Sequence, residues 1–197
     1  MTKIYTLVNQ KGGVGKTTST INLAAYLAKL GQRVLVVDLD PQANATSCLG
    51  VDKLLVEGST YDALLGEEDI FPFILLNERL QLSLLPSSPS LAGAEVELVD
   101  ELARESRLRK AILKVASRYD YVLIDCPPSL GLLTVNGLMA AVDGVVVPVH
   151  RQSSITATVT KASAGATELM PIAQVTNVTR ALEEFKALEE RHEFLQG

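Results

Sequence analysis

The chain has 197 residues, with 18 Lys and Arg against 23 Asp and Glu, a formal net charge of −5. Hydrophobic residues make up 47%, with 13 Gly, 8 Pro and no Trp, which predicts one globular domain over residues 1–197 with an aliphatic core. The acidic balance argues against a generally basic nucleic-acid binder, and no apolar run approaches the roughly 20 residues of a membrane-spanning helix.

In chain order, Ile4–Val8 (IYTLV) predicts a short buried strand. A glycine-rich loop follows, and Thr17–Leu30 then carries Ile21, Leu23, Ala24, Leu27 and Ala28 at helical spacing, with Gly31 placed to end the helix. Arg33–Val37 (RVLVV) predicts a second strand, running into Asp38-Leu39-Asp40-Pro41-Gln42. Strand, loop, helix, strand is a βαβ unit, which implies a parallel sheet and a right-handed crossover. Ser59–Leu65 predicts a short helix with a Ser or Thr cap, Leu80–Leu85 a strand, Pro86–Pro89 a loop and Ala94–Ser117 one long helix. Tyr121–Ile124 predicts a strand ending in Asp125-Cys126-Pro127-Pro128, then Leu130–Ala141 a helix and Gly144–Val149 a strand. The fold class expected is α/β, a doubly wound, mostly parallel sheet of five or more strands with helices on both faces. Beyond His150 the pattern weakens: Ser153–Leu169 and Arg180–Leu195, the latter capped by Thr179, have helical character, and Ile172–Val178 has strand character.

The loop reads Asn9-Gln10-Lys11-Gly12-Gly13-Val14-Gly15-Lys16-Thr17-Thr18. It departs from the phosphate-loop template Gly-x-x-x-x-Gly-Lys-[Ser/Thr], because Gln10 stands where the leading glycine belongs and Lys11 adds a second cation. Between a strand and a helix, a glycine loop turns backbone N–H groups toward an anion, and the helix N-terminus adds partial positive charge. Residues Lys11, Gly12, Gly13, Val14, Gly15, Lys16, Thr17 and Thr18 are therefore the candidate nucleotide-binding run, with Lys16 placed for the β- and γ-phosphates and Thr17 for Mg²⁺. Asp38, Asp40 and Asp125 stand at the ends of two other predicted strands, and in an open α/β sheet these converge on the ligand crevice. Carboxylates acting through water suit Mg²⁺, which makes Asp38, Asp40 and Asp125 candidate partners of a metal held beside Thr17.

The runs KGGVGKTT, INLAAYLA, VLVVDLDPQANATSCLG and YDYVLIDCPPSLGLLTVNGLMAA resemble the deviant Walker A ATPases, specifically the ParA/Soj partition branch, over residues 1–150. That resemblance implies a P-loop NTPase fold and an ATP- and Mg²⁺-dependent homodimer. In it Lys11 reaches across to the phosphates of the partner's ATP, Lys16 contacts its own, Asp40 positions or activates the attacking water, and Asp38 and Asp125 are the metal-site carboxylates around Mg²⁺. It further implies non-specific DNA association, hydrolysis stimulated by a ParB-type protein, and a cytoplasmic, nucleoid-associated location. Because the chain opens on its first strand, it resembles the short branch, without an N-terminal DNA-reading domain.

Residues 151–197 depart from the family pattern: five Lys and Arg stand against six Glu, with no cationic cluster of the kind phosphate binding needs. This acidic, atypical segment favours an alternative, a nucleotide-dependent module that recruits a protein and binds little DNA. A further alternative, a MinD-like membrane-cycling ATPase, fits less well, because anionic lipid favours a basic helix face. Two cysteines without a CxxC partner, Cys48 and Cys126, fit a reduced environment, and Cys126 reads as a small buried residue.

Overall fold

The computed structural model describes residues 1–66, 69–148 and 172–175. In chain order the elements are β1 (Lys3–Leu7), α1 (Lys16–Lys29), β2 (Val34–Asp38), α2 (Asn44–Cys48), α3 (Thr60–Leu65), β3 (Leu75–Asn77), β4 (Leu82–Leu85), α4 (Leu91–Glu97), α5 (Arg107–Val115), β5 (Tyr121–Asp125), α6 (Leu132–Ala140), β6 (Gly144–Pro148) and β7 (Ile172–Val175). The seven described strands form one sheet in the order β3-β4-β2-β5-β1-β6-β7. Every neighbouring pair is parallel except β3 with β4. The architecture is therefore the doubly wound α/β sheet that the sequence predicts.

Alternation along the strands builds two cores. Ile4, Leu35, Val37, Val122, Ile124, Val145 and Val147 face one side, where they pack with residues of α3, α4, α5 and α6. Leu7, Val34, Val36, Leu82, Leu84 and Leu123 face the other, against α1 through Ile21, Ala24 and Leu27. Strands buried on both faces read as continuous apolar runs, as RVLVV and YVLI do. From β1 the chain crosses to β2 on one side, and β6 lies on the other side of β1. The loop after β1 thus sits at the point where the winding reverses, the usual ligand crevice of such sheets.

Three features differ from the sequence expectation. The run 94–117 is not one helix: α4 ends in a 3₁₀ turn at Leu98–Asp100, Glu101 is extended, Ala103 is left-handed at φ 53°, and α5 begins only at Arg107. The buried Asn136 fixes that start, because its Oδ1 accepts from the Leu108 N–H (3.1 Å) and its Nδ2 donates to the Arg104 carbonyl (2.9 Å). Two short elements, α2 and the antiparallel β3, add to the expected set. The expected helices Ser153–Leu169 and Arg180–Leu195, and the last residues of Ile172–Val178, lie outside the described residues. Among the described residues, no helix is long and apolar enough to cross a membrane.

Gly137 of α6 packs closely on β1 and the ends of β2 and β5. A Cβ there would lie 2.5 Å from the Cys126 Sγ and 3.3 Å from both the Leu39 Cδ2 and the Thr6 Oγ1. Cys126 is buried and shares a 3.1 Å hydrogen bond with Thr6, and burial pushes its thiol up to about 12, so it packs rather than reacts. Gly137→Ala is expected to destabilise the fold by about 1–3 kcal/mol through overpacking, despite the better helix propensity of alanine. A urea midpoint equal to the wild type would refute this.

Candidate active site

The loop after β1 places two of its glycines where the backbone conformation favours glycine. Gly13 and Gly15 take left-handed φ values of 71° and 87°, which strain any residue bearing a Cβ. Gly15 is also the N-cap of α1, so no side chain caps that helix, and its first turn contains no acidic residue. The α1 amides and their partial positive charge thus face the loop without a competing internal anion. Val14 is buried beneath the loop, whereas Lys11, Gly12, Gly13 and Thr18 are exposed at its mouth. The Lys11 backbone N–H donates to the Asn9 Oδ1 (2.9 Å), bending the chain ahead of the glycines.

Lys16 is only 7% exposed. Among the described residues its Nζ makes one hydrogen bond, a long one of 3.4 Å to the Lys11 carbonyl. Burial lowers its pKa, opposed by the nearby charges of Asp125 and Asp40. It is a buried cation, held inside the curve of the loop, with donor capacity left over.

The three carboxylates converge as the spacing predicts. Parallel register sets Asp38 beside Asp125, and Asp125 beside Leu7 at the start of the loop. The Asp125 Oδ2 accepts from the Thr17 hydroxyl (2.7 Å) and its Oδ1 from the Thr20 hydroxyl (3.2 Å). Asp38 accepts on Oδ1 from the Asp40 N–H (3.2 Å) and on Oδ2 from the Thr46 N–H (2.8 Å) and hydroxyl (2.7 Å). Burial raises Asp125 to about 7, with the Asp38 charge adding and the Thr17 bond opposing, and raises Asp38 to about 6, opposed first by Thr46. Asp40 is 6% exposed, and its Oδ1 accepts from the Gln42 N–H (2.9 Å).

The structure thus gathers Lys16, Thr17, Asp38, Asp40 and Asp125 at the carboxyl ends of the central strands, with Lys11 at the rim. Sequence reasoning did not single out Thr20, Thr46 or Ser87. Thr20 follows Thr17 by one helical turn, and Thr46 closes the run DLDPQANAT, so position hinted at both. Nothing in the sequence marks Ser87. The residues present fit a phosphorylated ligand with a hard divalent ion: open backbone amides, a buried ammonium, a hydroxyl and two carboxylates, all nitrogen donors to anions or oxygen ligands.

Similarity to known proteins agrees with this chemistry. A family model described as an AAA domain matches residues 2–180. The chain belongs to that family. Within it the chain is of the ParA/MinD type of P-loop ATPase. The sporulation initiation inhibitor protein Soj of Bacillus subtilis is 53% identical over 150 residues, which cover 76% of this chain and 59% of that protein. A crystal structure titled cobyrinic acid a,c-diamide synthase from Mycobacterium smegmatis, with a bound ATP analogue and magnesium, superposes with a TM-score of 0.81 at 33% identity, covering 95% of this chain and 82% of that one. A plasmid partition protein from Borrelia burgdorferi gives a TM-score of 0.73 at 29% identity, covering 88% and 78%. The chain spans less than two thirds of the length of the curated relatives it matches.

Proposed function

We propose that this AAA-domain protein is a dimerising ATPase that binds ATP and Mg²⁺ at the glycine loop and acts in chromosome or plasmid partition. The observation that carries the reading is the buried Lys16 inside an uncapped glycine loop, with Thr17 bonded to Asp125 alongside. Lys16 and the amides of Gly12–Thr18 hold the phosphates. Thr17 supplies the protein oxygen for Mg²⁺, with Asp125 and Asp38 acting behind it through water. Mg²⁺, when bound, neutralises charge on the phosphate oxygens. Asp40 orients the attacking water and accepts its proton. The name of the Borrelia relative, a plasmid partition protein, supports the partition role. We extend that role to a ParB-type stimulating partner, to ATP-controlled DNA association and to a cytoplasmic, nucleoid-associated place of action.

The acidic balance of residues 151–197 favours a second reading, a nucleotide-dependent module that recruits a protein and binds little DNA. DNA co-sedimentation with ATP across a salt series separates the two. Tight binding that falls steeply with salt supports partition through DNA, and no binding at low salt leaves the recruiting module.

The exposed Lys11 carries the dimer part of the proposal. A cation that meets the partner's phosphates only on association acts as an arginine finger does, in a water-poor interface. Lys11→Gln is expected to leave the ATP dissociation constant within about threefold, because Lys16 and the loop amides are intact, while hydrolysis falls by about 10³-fold, the low end for such fingers. Wild-type hydrolysis in this variant would refute the crossing role.

A further inference from the structure

Two members of a buried network beside the candidate active site, Thr46 and Ser87, have no place in the scheme above. The Thr46 hydroxyl donates to the Asp38 Oδ2 (2.7 Å) and accepts from the Ser87 N–H (2.9 Å). The Ser87 hydroxyl donates to the Asp40 carbonyl (2.8 Å), and the Asp40 N–H donates to the Asp38 Oδ1 (3.2 Å). Thr46, Ser87 and Asp38 are fully buried. The bonds close a ring through three separate parts of the fold: the end of β2, the helix α2 and the loop after β4. Both backbone groups of Asp40 are anchored by that ring, and the Ala43 N–H adds a second bond to the same carbonyl (2.8 Å).

The hub of the ring is a hydroxyl whose hydrogen is committed to Asp38 and whose lone pair is committed to Ser87. Such a group has one rotamer that satisfies both partners. The Thr46 N–H also bonds Asp38 (2.8 Å), so main chain and side chain grip one carboxylate oxygen. Ala43, left-handed at φ 53°, starts α2 and turns this N–H toward Asp38. A five-residue helix with no side-chain cap has little stability of its own. Its docking on Asp38 gives a physical reason for it to exist.

We propose that Thr46 is a positioning residue for hydrolysis, holding Asp40 in place through Asp38 and Ser87 rather than touching the nucleotide itself. This rests on the functional reading above. Misplacing a catalytic group by about 1 Å can cost on the order of 10²-fold in rate. The ring sets the Asp40 main chain from both sides, so its loss acts on the reaction step and not on phosphate binding.

The test compares Thr46→Val, which keeps the shape and removes both hydroxyl bonds, with Thr46→Ser, which keeps both. Ser87→Ala, which removes only the bond to the Asp40 carbonyl, serves if the valine variant does not fold. Two readouts are taken: kcat and KM for Mg-ATP, and amide hydrogen exchange over residues 38–46 of the nucleotide-free chain. Expected in Thr46→Val are a kcat lower by about tenfold or more, a KM within about threefold and faster exchange, with Thr46→Ser near the wild type on all counts. Ser87→Ala should show the same pattern, weaker. A wild-type kcat in Thr46→Val, or equal impairment in Thr46→Ser, overturns the proposal, as does unchanged exchange. A wild-type chain that hydrolyses no ATP refutes the functional reading instead, and the exchange data still decide whether Thr46 holds the Asp40 segment.

Discussion

Lys16→Ala is expected to abolish ATP binding at concentrations that saturate the wild-type chain, without unfolding the protein. The ammonium of Lys16 is buried inside the loop and has one long hydrogen bond among the described residues, to the Lys11 carbonyl. A phosphate entering the loop would supply the acceptors that this cation lacks. Hydrogen bonds to charged groups contribute about 1.5–3 kcal/mol each, so losing two of them costs on the order of 10²- to 10⁴-fold in affinity. The fold should tolerate the change for a related reason. Burial holds the folded-state pKa of Lys16 below its ordinary value. A lysine depressed in this way costs stability throughout the range below its folded pKa, where it stays charged, and truncation removes that cost. What alanine gives up is the partial compensation of Asp125 and Asp40, which are themselves anchored by Thr17, Thr20 and Gln42. A fluorescent-nucleotide titration together with a thermal melt checks both halves. A dissociation constant within about threefold of the wild type would sink the assignment, and a collapsed melting transition would show that Lys16 is structural.

Much of this site was legible because its signals are local. The loop glycines stand beside the lysine and threonine they serve, so one stretch of ten residues spells a strand exit, a turn and a helix entry. Asp38 and Asp125 end apolar strands, and the carboxyl ends of parallel strands lie at one end of the sheet. The parts that escaped notice are set by contacts distant in sequence. Residues 94–117 are rich in Leu, Ala, Glu and Arg, all good helix formers, so propensity marks no break. The break is imposed by Asn136, which grips the Arg104 carbonyl and the Leu108 N–H from a helix some thirty residues on. Likewise α2 has neither a side-chain cap nor an amphipathic turn to announce it, and it forms on the Asp38 carboxylate. The exposed β3 is three residues long, too short for alternation to show. Ser87 lies in a Pro-Ser-Ser-Pro loop whose composition promises only a turn, and its hydroxyl finds Asp40 through the fold alone.

Asp40→Ala should separate binding from hydrolysis in the opposite sense to Lys16→Ala: the variant keeps ATP and its ATP-dependent dimer while phosphate release falls by about 10²- to 10⁴-fold, the usual worth of a positioned general base. The side chain removed makes one hydrogen bond among the described residues, from the Gln42 N–H to its Oδ1. The backbone of Asp40 stays fixed by Asp38, Ala43 and Ser87, so the loop that carries it need not move. In the proposed scheme phosphate binding belongs to Lys16 and the α1 amides, whose backbone and side-chain bonds this substitution leaves untouched. Electrostatics points the same way. Asp40 is one of the charges that raise the Lys16 pKa, which places a carboxylate near the cation proposed to meet the phosphates. Deleting that negative charge lessens repulsion toward an incoming anion, so affinity should hold or tighten. Asp40→Asn sharpens the test, because its side-chain oxygen can still accept from Gln42 while its charge and proton affinity are gone. If Asp40 acts by its charge, the asparagine variant is as slow as the alanine variant. If it acts only by shaping the turn at Gln42, the asparagine variant recovers. Single-turnover phosphate release and size-exclusion chromatography with ATP read the two properties, and unchanged release in Asp40→Ala would remove Asp40 from the reaction.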